Sequence, residues 1–307
     1  MKWKINLGLI IIAIFSTFVF ASDNAPPPIP TEYWGRALID GKFAADGTKV
    51  TSSYGNATVA SGYYDIILTG GDSPLTYLAD PTCATHWASG EACIPCSTNP
   101  TNETYCVEGP KSGDKVIINF NGNPVSIVWG DNQSINEKIL SQVQLYGGWN
   151  MVGLASQSLN DSIQNLLEYI NGTKLVDYYN TSSSTWKRYN SGTPPFTWTL
   201  FSMEPGKGYW LKVDSNQKWS IVGTISTPNS VPLKTGWNLV SFRLYNNSVQ
   251  TAMSQLTGTR LVDYYDTQIS TWKRYNSGTP PFTWTLQEIN AGKSYWVKVD
   301  SDQTWGE

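Results

Sequence analysis

Charge is scarce in this chain: Asp, Glu, Lys and Arg make up only 15% of its 307 residues. Without Lys2 and Lys4, which sit in the N-terminal leader, 19 basic residues face 24 acidic ones, a net charge of −5. No basic block is present to neutralise a run of phosphates, so nucleic acid is not an expected partner. Histidine occurs once, at His86. A Ser-His-Asp set is arithmetically available, but no Gly-x-Ser-x-Gly elbow or comparable setting accompanies it. Glu204–Gly208 contains a lysine but lacks the spacing and the Ser/Thr of a phosphate loop. Asp300-Ser301-Asp302 lacks the remaining ligands of a calcium loop. These absences point away from an enzyme, and neither a cofactor nor a metal is expected.

Long apolar runs are equally rare. One follows the basic start at Lys2 and Lys4, from Leu7 to Phe20, and it contains Gly8, Ser16 and Thr17. It is short of the ~20 apolar residues that a membrane span needs. Val19 and Ala21 are small residues at the −3 and −1 positions of a cut before Ser22, so residues 1–21 read as an export signal. An uncleaved anchor is the alternative reading. No second span, sorting motif or lipidation signal follows, so a secreted, cell-surface chain with no stable membrane span is expected. At the other end, the first repeat continues past Trp219 as Ser220-Ile221-Val222-Gly223, whereas the second stops two residues after Trp305. Its final strand reads as clipped.

Cysteine is confined to one stretch: Cys83, Cys93, Cys96 and Cys106, spaced C-x9-C-x2-C-x9-C. Four thiolates around a metal would suit the spacing. An oxidising compartment and an even count favour two disulfides pinning a Gly/Pro-rich loop, with three connectivities open. Cys96 has no following His, which excludes haem attachment by that motif. An exported chain with sequons at Asn56, Asn102, Asn132, Asn160, Asn171, Asn180 and Asn246 is also a glycoprotein candidate.

What the chain has in quantity is aromatics, 14 Trp and 17 Tyr, set among short turn-bounded runs. That composition predicts a mainly β protein. Ala25–Pro30 closes a proline-rich leader over 22–30. Between 31 and 131, strand-like runs at Tyr33–Ile39, Gly47–Thr51, Tyr63–Leu68, Lys115–Phe120 and Val125–Trp129 alternate with turn signals such as Asp40-Gly41 and Asn121-Gly122. Such pairs tolerate the positive φ of tight hairpins. A β-sandwich with a cysteine-bearing insertion at 83–106 is expected. Pro30–Gly35, Ile39–Lys42, Gly47-Thr48, Gly62-Tyr63 and Gly113–Ile117 give this region a resemblance to Ig-like or carboxypeptidase-regulatory-like sandwich domains of exported envelope proteins. The resemblance implies a fold and carries no activity.

After a polar linker at 132–144 with some helical or strand potential, the chain repeats itself. Ser184–Leu200, STWKRYNSGTPPFTWTL, recurs unchanged as Ser270–Leu286. The two modules, 145–223 and 231–307, each open on Gly-Trp-Asn (Gly148, Gly236) and close on a Tyr-Trp strand (Tyr209-Trp210, Tyr295-Trp296). Ile163, Leu166, Leu167 and Ile170 fall at helical spacing, as do Val249, Met253 and Leu256, so each module is a small α+β unit with one short helix. Ser or Asn is expected to cap that helix, and Gly172 or Gly258 to end it. The opening, the Trp-Lys hairpin and the closing strand together resemble a repeat module of archaeal and bacterial S-layer-like surface proteins. That resemblance implies an envelope location and no catalytic residues.

The carboxylates Asp177, Asp263, Glu204 and Glu288 were the material for a hydrolase, but solvated strand-face charges are the simpler expectation. Trp149, Trp210, Trp237 and Trp296 lie in strand-like runs and are assigned to the core. Phe196 and Trp198, with Phe282 and Trp284, flank Pro-Pro loops and are the candidate binding residues, able to stack on sugar rings or insert into a partner. The expected role is structural, assembling or adhesive, through other envelope proteins or surface glycans. Bivalent carbohydrate binding is the alternative, and an exported hydrolase comes last.

Overall fold

The computed structural model describes residues 32–45, 47–54, 57–64, 73–77, 115–128, 136–158, 160–224, 230–242 and 247–306. The signal segment, the Pro-rich leader, the four cysteines with His86, and the sequons at Asn56, Asn102, Asn132 and Asn246 lie outside those residues. The fold is mainly β, and no described helix is long and apolar enough to cross a membrane.

The first region supplies β1 (Glu32–Ile39), β2 (Lys42–Phe43), β3 (Thr48–Tyr54), β4 (Ala57–Tyr64), β5 (Ser73–Tyr77), β6 (Lys115–Phe120) and β7 (Asn123–Val128). Asp40-Gly41 turns β1 into β2, and Asn121-Gly122 turns β6 into β7. All four residues have positive φ, between 48° and 82°. That handedness matches the strand twist and explains why those residue types stand there. One sheet has the order β4-β3-β6-β7.

The facing sheet draws on sequence beyond residue 131. Its central strand is β8 (Asn136–Leu145), parallel to β1 and antiparallel to β14 (Gln217–Thr224), the last strand of the first module. Ala37, Leu140 and Val222 from this sheet meet Val50, Val116, Ile118, Phe120 and Ile127 from the other. The stretch read as a polar linker is therefore largely a buried strand. Ser141 and Gln142 disguised it, because both are buried polar residues. The Gln142 amide donates to Phe120 O at 3.0 Å and to Ser220 Oγ at 3.1 Å. Buried polar groups persist where such partners are supplied.

The first module continues with β9 (Gly148–Gly153), β10 (Gln157–Ser158), α1 (Ile163–Leu166), β11 (Leu175–Asn180), β12 (Thr185–Asn190) and β13 (Gly208–Val213). The second has β15 (Ser230–Leu233), β16 (Gly236–Ser241), β17 (Asn247–Ser248), α2 (Val249–Met253), β18 (Leu261–Asp266), β19 (Thr271–Asn276), β20 (Glu288–Ile289), β21 (Ser294–Val299) and β22 (Gln303–Gly306). The sheet orders β12-β11-β13-β9 and β19-β18-β21-β16 are the same topology. In each module a strand before the Gly-Trp-Asn opening pairs with the last strand, β8 with β14 and β15 with β22.

The repeated motifs have local causes. The Asn150 and Asn238 side chains bond back to the backbone of Tyr146 and Lys234, closing the turn into each opening strand. The buried Tyr209 hydroxyl accepts from Glu204 N and that of Tyr295 from Asn290 N, both at 2.8 Å. The Trp219 indole donates to Leu166 O and the Trp305 indole to Ala252 O, satisfying carbonyls at or near a helix end. Each helix is one turn, capped by Ser162 or Ser248 as expected. It stops well before the glycine meant to end it. Gly172 and Gly258 instead make positive-φ turns farther on, at 76° and 74°. So short a helix is marginal alone; burial of Ile163, Leu166, Leu167 and Ile170, and of Val249, Met253 and Leu256, holds it.

Candidate functional site

Alternation along β13 places Tyr209, Leu211 and Val213 on the helix side of the sheet, in the core. Trp210 and Lys212 point the other way. Trp149 does the same from β9, where it pairs with Lys212. These tryptophans, with Trp237 and Trp296, are half-buried on the outer sheet face, which corrects their assignment to the core.

The outer faces of the two modules meet around a pseudo-two-fold axis, shown by contacts that occur in reciprocal pairs. Gly153 N donates to Gly292 O at 3.0 Å, and Ser241 N donates to Gly206 O at 3.1 Å. Val152 bridges Lys293 while Lys207 bridges Val240. Trp210 packs against Tyr265 and Trp272 of the second module, with ring centroids 6.0 Å apart in both cases. Trp296 packs against Tyr179 and Trp186 of the first, at 5.6 and 6.1 Å. Where a residue meets a partner in the other module, its counterpart thus meets the counterpart of that partner, the property of an isologous contact.

Two grooves follow from this arrangement. The first, about 520 Å³, is lined by Trp149, Asp177, Trp186, Arg188, Trp210, Tyr265 and Trp272. The second, about 760 Å³, has the counterparts Trp237, Asp263, Trp272, Arg274 and Trp296, with Tyr179 reaching in from the first module. Neither groove is complete within one module. Trp186 and Trp272 are about half exposed, at 52% and 51%, an unusual state for so large an apolar ring.

Each groove has one polar feature. Arg188 holds Asp177 by two parallel bonds, Nε to Oδ1 and Nη2 to Oδ2, both 2.6 Å. Arg274 and Asp263 repeat the geometry at the same distances. The residues of each pair stand directly opposite on adjacent strands. The carboxylate bonds raise both guanidinium pKa values above the ordinary arginine value. Asp177 and Asp263 are therefore mostly buried and paired, which corrects the expectation of solvated charges. Glu204 pairs with Lys207 and Glu288 with Lys42, so all four carboxylates considered for a hydrolase sit in ion pairs. No described group of three or more His, Cys, Asp or Glu is placed to hold a metal.

The Pro-Pro loops divide the residues singled out there. Phe196 and Phe282 stand on one-turn 3₁₀ segments and are 87% and 88% exposed. Trp198 and Trp284 are partly buried, edge-on to Tyr189 and Tyr275 at 4.6 Å. Their indole N–H groups are taken by Thr193 O and by Thr279 O and Asn276 O. These tryptophans brace the loop, and the phenylalanines present it. Among the sequons, Asn160 and Asn171 are exposed. The Asn160 and Asn180 side chains accept backbone bonds from Ser162 and Ser182, each at 3.1 Å.

The grooves escaped sequence reading because each needs residues from both copies. One signal was present: Trp210 is out of phase with its buried neighbours. No family model matches this chain, and comparison with the curated proteins and the solved structures likewise finds no match.

Proposed function

We propose that this chain is an exported, non-enzymatic surface protein whose tandem modules form a bivalent carbohydrate-binding unit with an adhesive role. The observation that carries it is the recurrence of one residue set, two half-buried Trp, an exposed Trp and a bidentate Asp–Arg pair, in two grooves. Flat aromatic rings suit the C–H faces of a pyranose, and the guanidinium and carboxylate edges offer fixed donors and acceptors for ring hydroxyls. Because each ion pair compensates its own charge, neutral sugars fit best. Two such grooves on one chain raise apparent affinity on a multivalent surface through effective concentration. Export, disulfides at Cys83, Cys93, Cys96 and Cys106, glycans on the sequons and an S-layer-like kinship belong to the same reading.

The test is a glycan array probed with the full chain and with Trp149→Ala plus Trp237→Ala, each of which lines one groove. Binding to neutral glycans that this double variant abolishes supports the proposal; no binding to any glycan overturns it. A second reading rests on the exposure of Phe196 and Phe282. These tips suit insertion into a protein partner. A protein partner bound by the full chain and by the groove variant, and lost in Phe196→Ser plus Phe282→Ser, would favour it.

A further inference from the structure

At an isologous contact, the residues nearest the axis meet their own counterparts. Two such positions exist here. Gly153 lies against Ser241, and Gly208 lies against Ser294. The opening and closing strands of the two copies are otherwise near-identical, GWNMVG against GWNLVS and GYWLKV against SYWVKV. In both strands the first module has glycine and the second has serine.

Space, rather than backbone conformation, requires those glycines, since neither is among the glycines with positive φ. A Cβ on Gly153 would lie 2.0 Å from Ser241 Cβ and 2.6 Å from its Oγ. A Cβ on Gly208 would lie 2.7 Å from Ser294 Cβ and 2.9 Å from both Val240 N and Val240 O. Real Cβ atoms do not come that close, and backbone atoms are not free to yield as a flexible side chain is. Serine on both sides would force the sheets apart, and glycine on both sides would leave a void. The arrangement is thus one small and one larger residue at each of two axial points.

We propose that Gly153·Ser241 and Gly208·Ser294 form a steric code by which this face accepts only the unlike module as its partner. The serine-bearing face of the second module rejects a second copy of itself, so two chains do not associate through it. The four residues are positioning residues: their fit holds Tyr265 against Trp210 and Tyr179 against Trp296, completing both grooves. The inference does not depend on what the grooves bind. Shape carries it more than hydrogen bonding, because among the described residues the buried Ser241 Oγ has no partner and Ser294 Oγ bonds to Tyr209 O at 3.2 Å.

Hydrogen exchange on the full chain tests the code. The Gly153 and Ser241 amides donate across the contact, whereas the amides of Val176 and Leu211 lie within the first module's own sheet. Gly153→Ser plus Gly208→Ser, which sets serine against serine, should speed exchange at the two crossing amides at least ~10-fold while the in-sheet amides stay protected. At the one point where the closest clashes are with a side chain alone, Gly153→Ser should speed exchange at both crossing amides, and adding Ser241→Gly to it should restore protection. Ser241→Ala, which keeps the shape, should leave it unchanged. Unaltered protection in the all-serine variant overturns the proposal. If that variant unfolds altogether, Gly153→Ser plus Ser241→Gly decides: native protection supports the code, and its loss contradicts it.

Discussion

Between the two modules, the residues that line the grooves are the same, and two positions on the axis between the modules are not. Strands β12 and β19 are identical, TWKRYN, and both Asp–Arg pairs have the same bond lengths. The axial positions carry glycine in one copy and serine in the other. A unit packed against its twin must break symmetry where equivalent atoms collide. The difference separates what the tandem presents from what holds it together.

The largest effects that sharpen this comparison are in the cores. Trp219→Ala and Trp305→Ala each remove a buried indole and the bond it donates to a helical carbonyl. Both are expected to cost about 3–5 kcal/mol in urea unfolding. Trp219 also lies on a strand shared with the sandwich, so its loss should destabilise that region as well, while the effect of Trp305→Ala stays in the second module. Equal disturbance of the sandwich by both variants would contradict this division.

Next come the ion pairs. Asp177→Asn and Asp263→Asn should each cost about 1 kcal/mol, since the arginine side chains are 59% exposed and solvent screens the pair. Matched losses are expected. Unequal ones would show that the grooves are not equivalent.

A smaller contrast depends on pH. Asp302 binds Lys234 and Thr235 across the base of the second module, and its counterpart Asn216 does a similar task uncharged, accepting from Gly147 N. The Lys234 bond, helped by Thr235, lowers the Asp302 pKa to about 2 from 3.8. A depressed carboxyl contributes stability above its unfolded value and loses it as pH falls through the folded one. The second module should therefore weaken between pH 3.8 and about 2, and Asp302→Asn should remove that slope. At the alkaline end the modules should behave alike. Burial raises the pKa of Tyr209 and Tyr295 above the ordinary 10.0, so their contribution is complete below pH 10.0 and declines above it. The smallest effect is at the loop tips: Phe196→Ser and Phe282→Ser should change stability by no more than about 0.5 kcal/mol.

The sequence was informative where a structural cause is local. Asp40-Gly41 and Asn121-Gly122 marked their hairpins because positive φ is a property of the residue itself. The phase of Tyr209, Leu211 and Val213 gave the buried face of β13 for the same reason. Strand β8 was obscured because Ser141 and Gln142 are polar by letter but buried and bonded in place. Of the grooves, only the outward phase of Trp210 was legible. Trp210 needs Tyr265, 55 residues later in the chain, and Trp296 needs Tyr179, 117 residues earlier, and no periodicity encodes a contact between copies.

The proposed function requires two related grooves that each take a neutral sugar chain. Calorimetric titration of the full chain with soluble cello-, xylo- and manno-oligosaccharides tests it most directly. Two sites are expected for at least one of these sugars, falling to one site in Trp149→Ala and to one site in Trp237→Ala. A single site, or two sites that neither substitution removes, would contradict it.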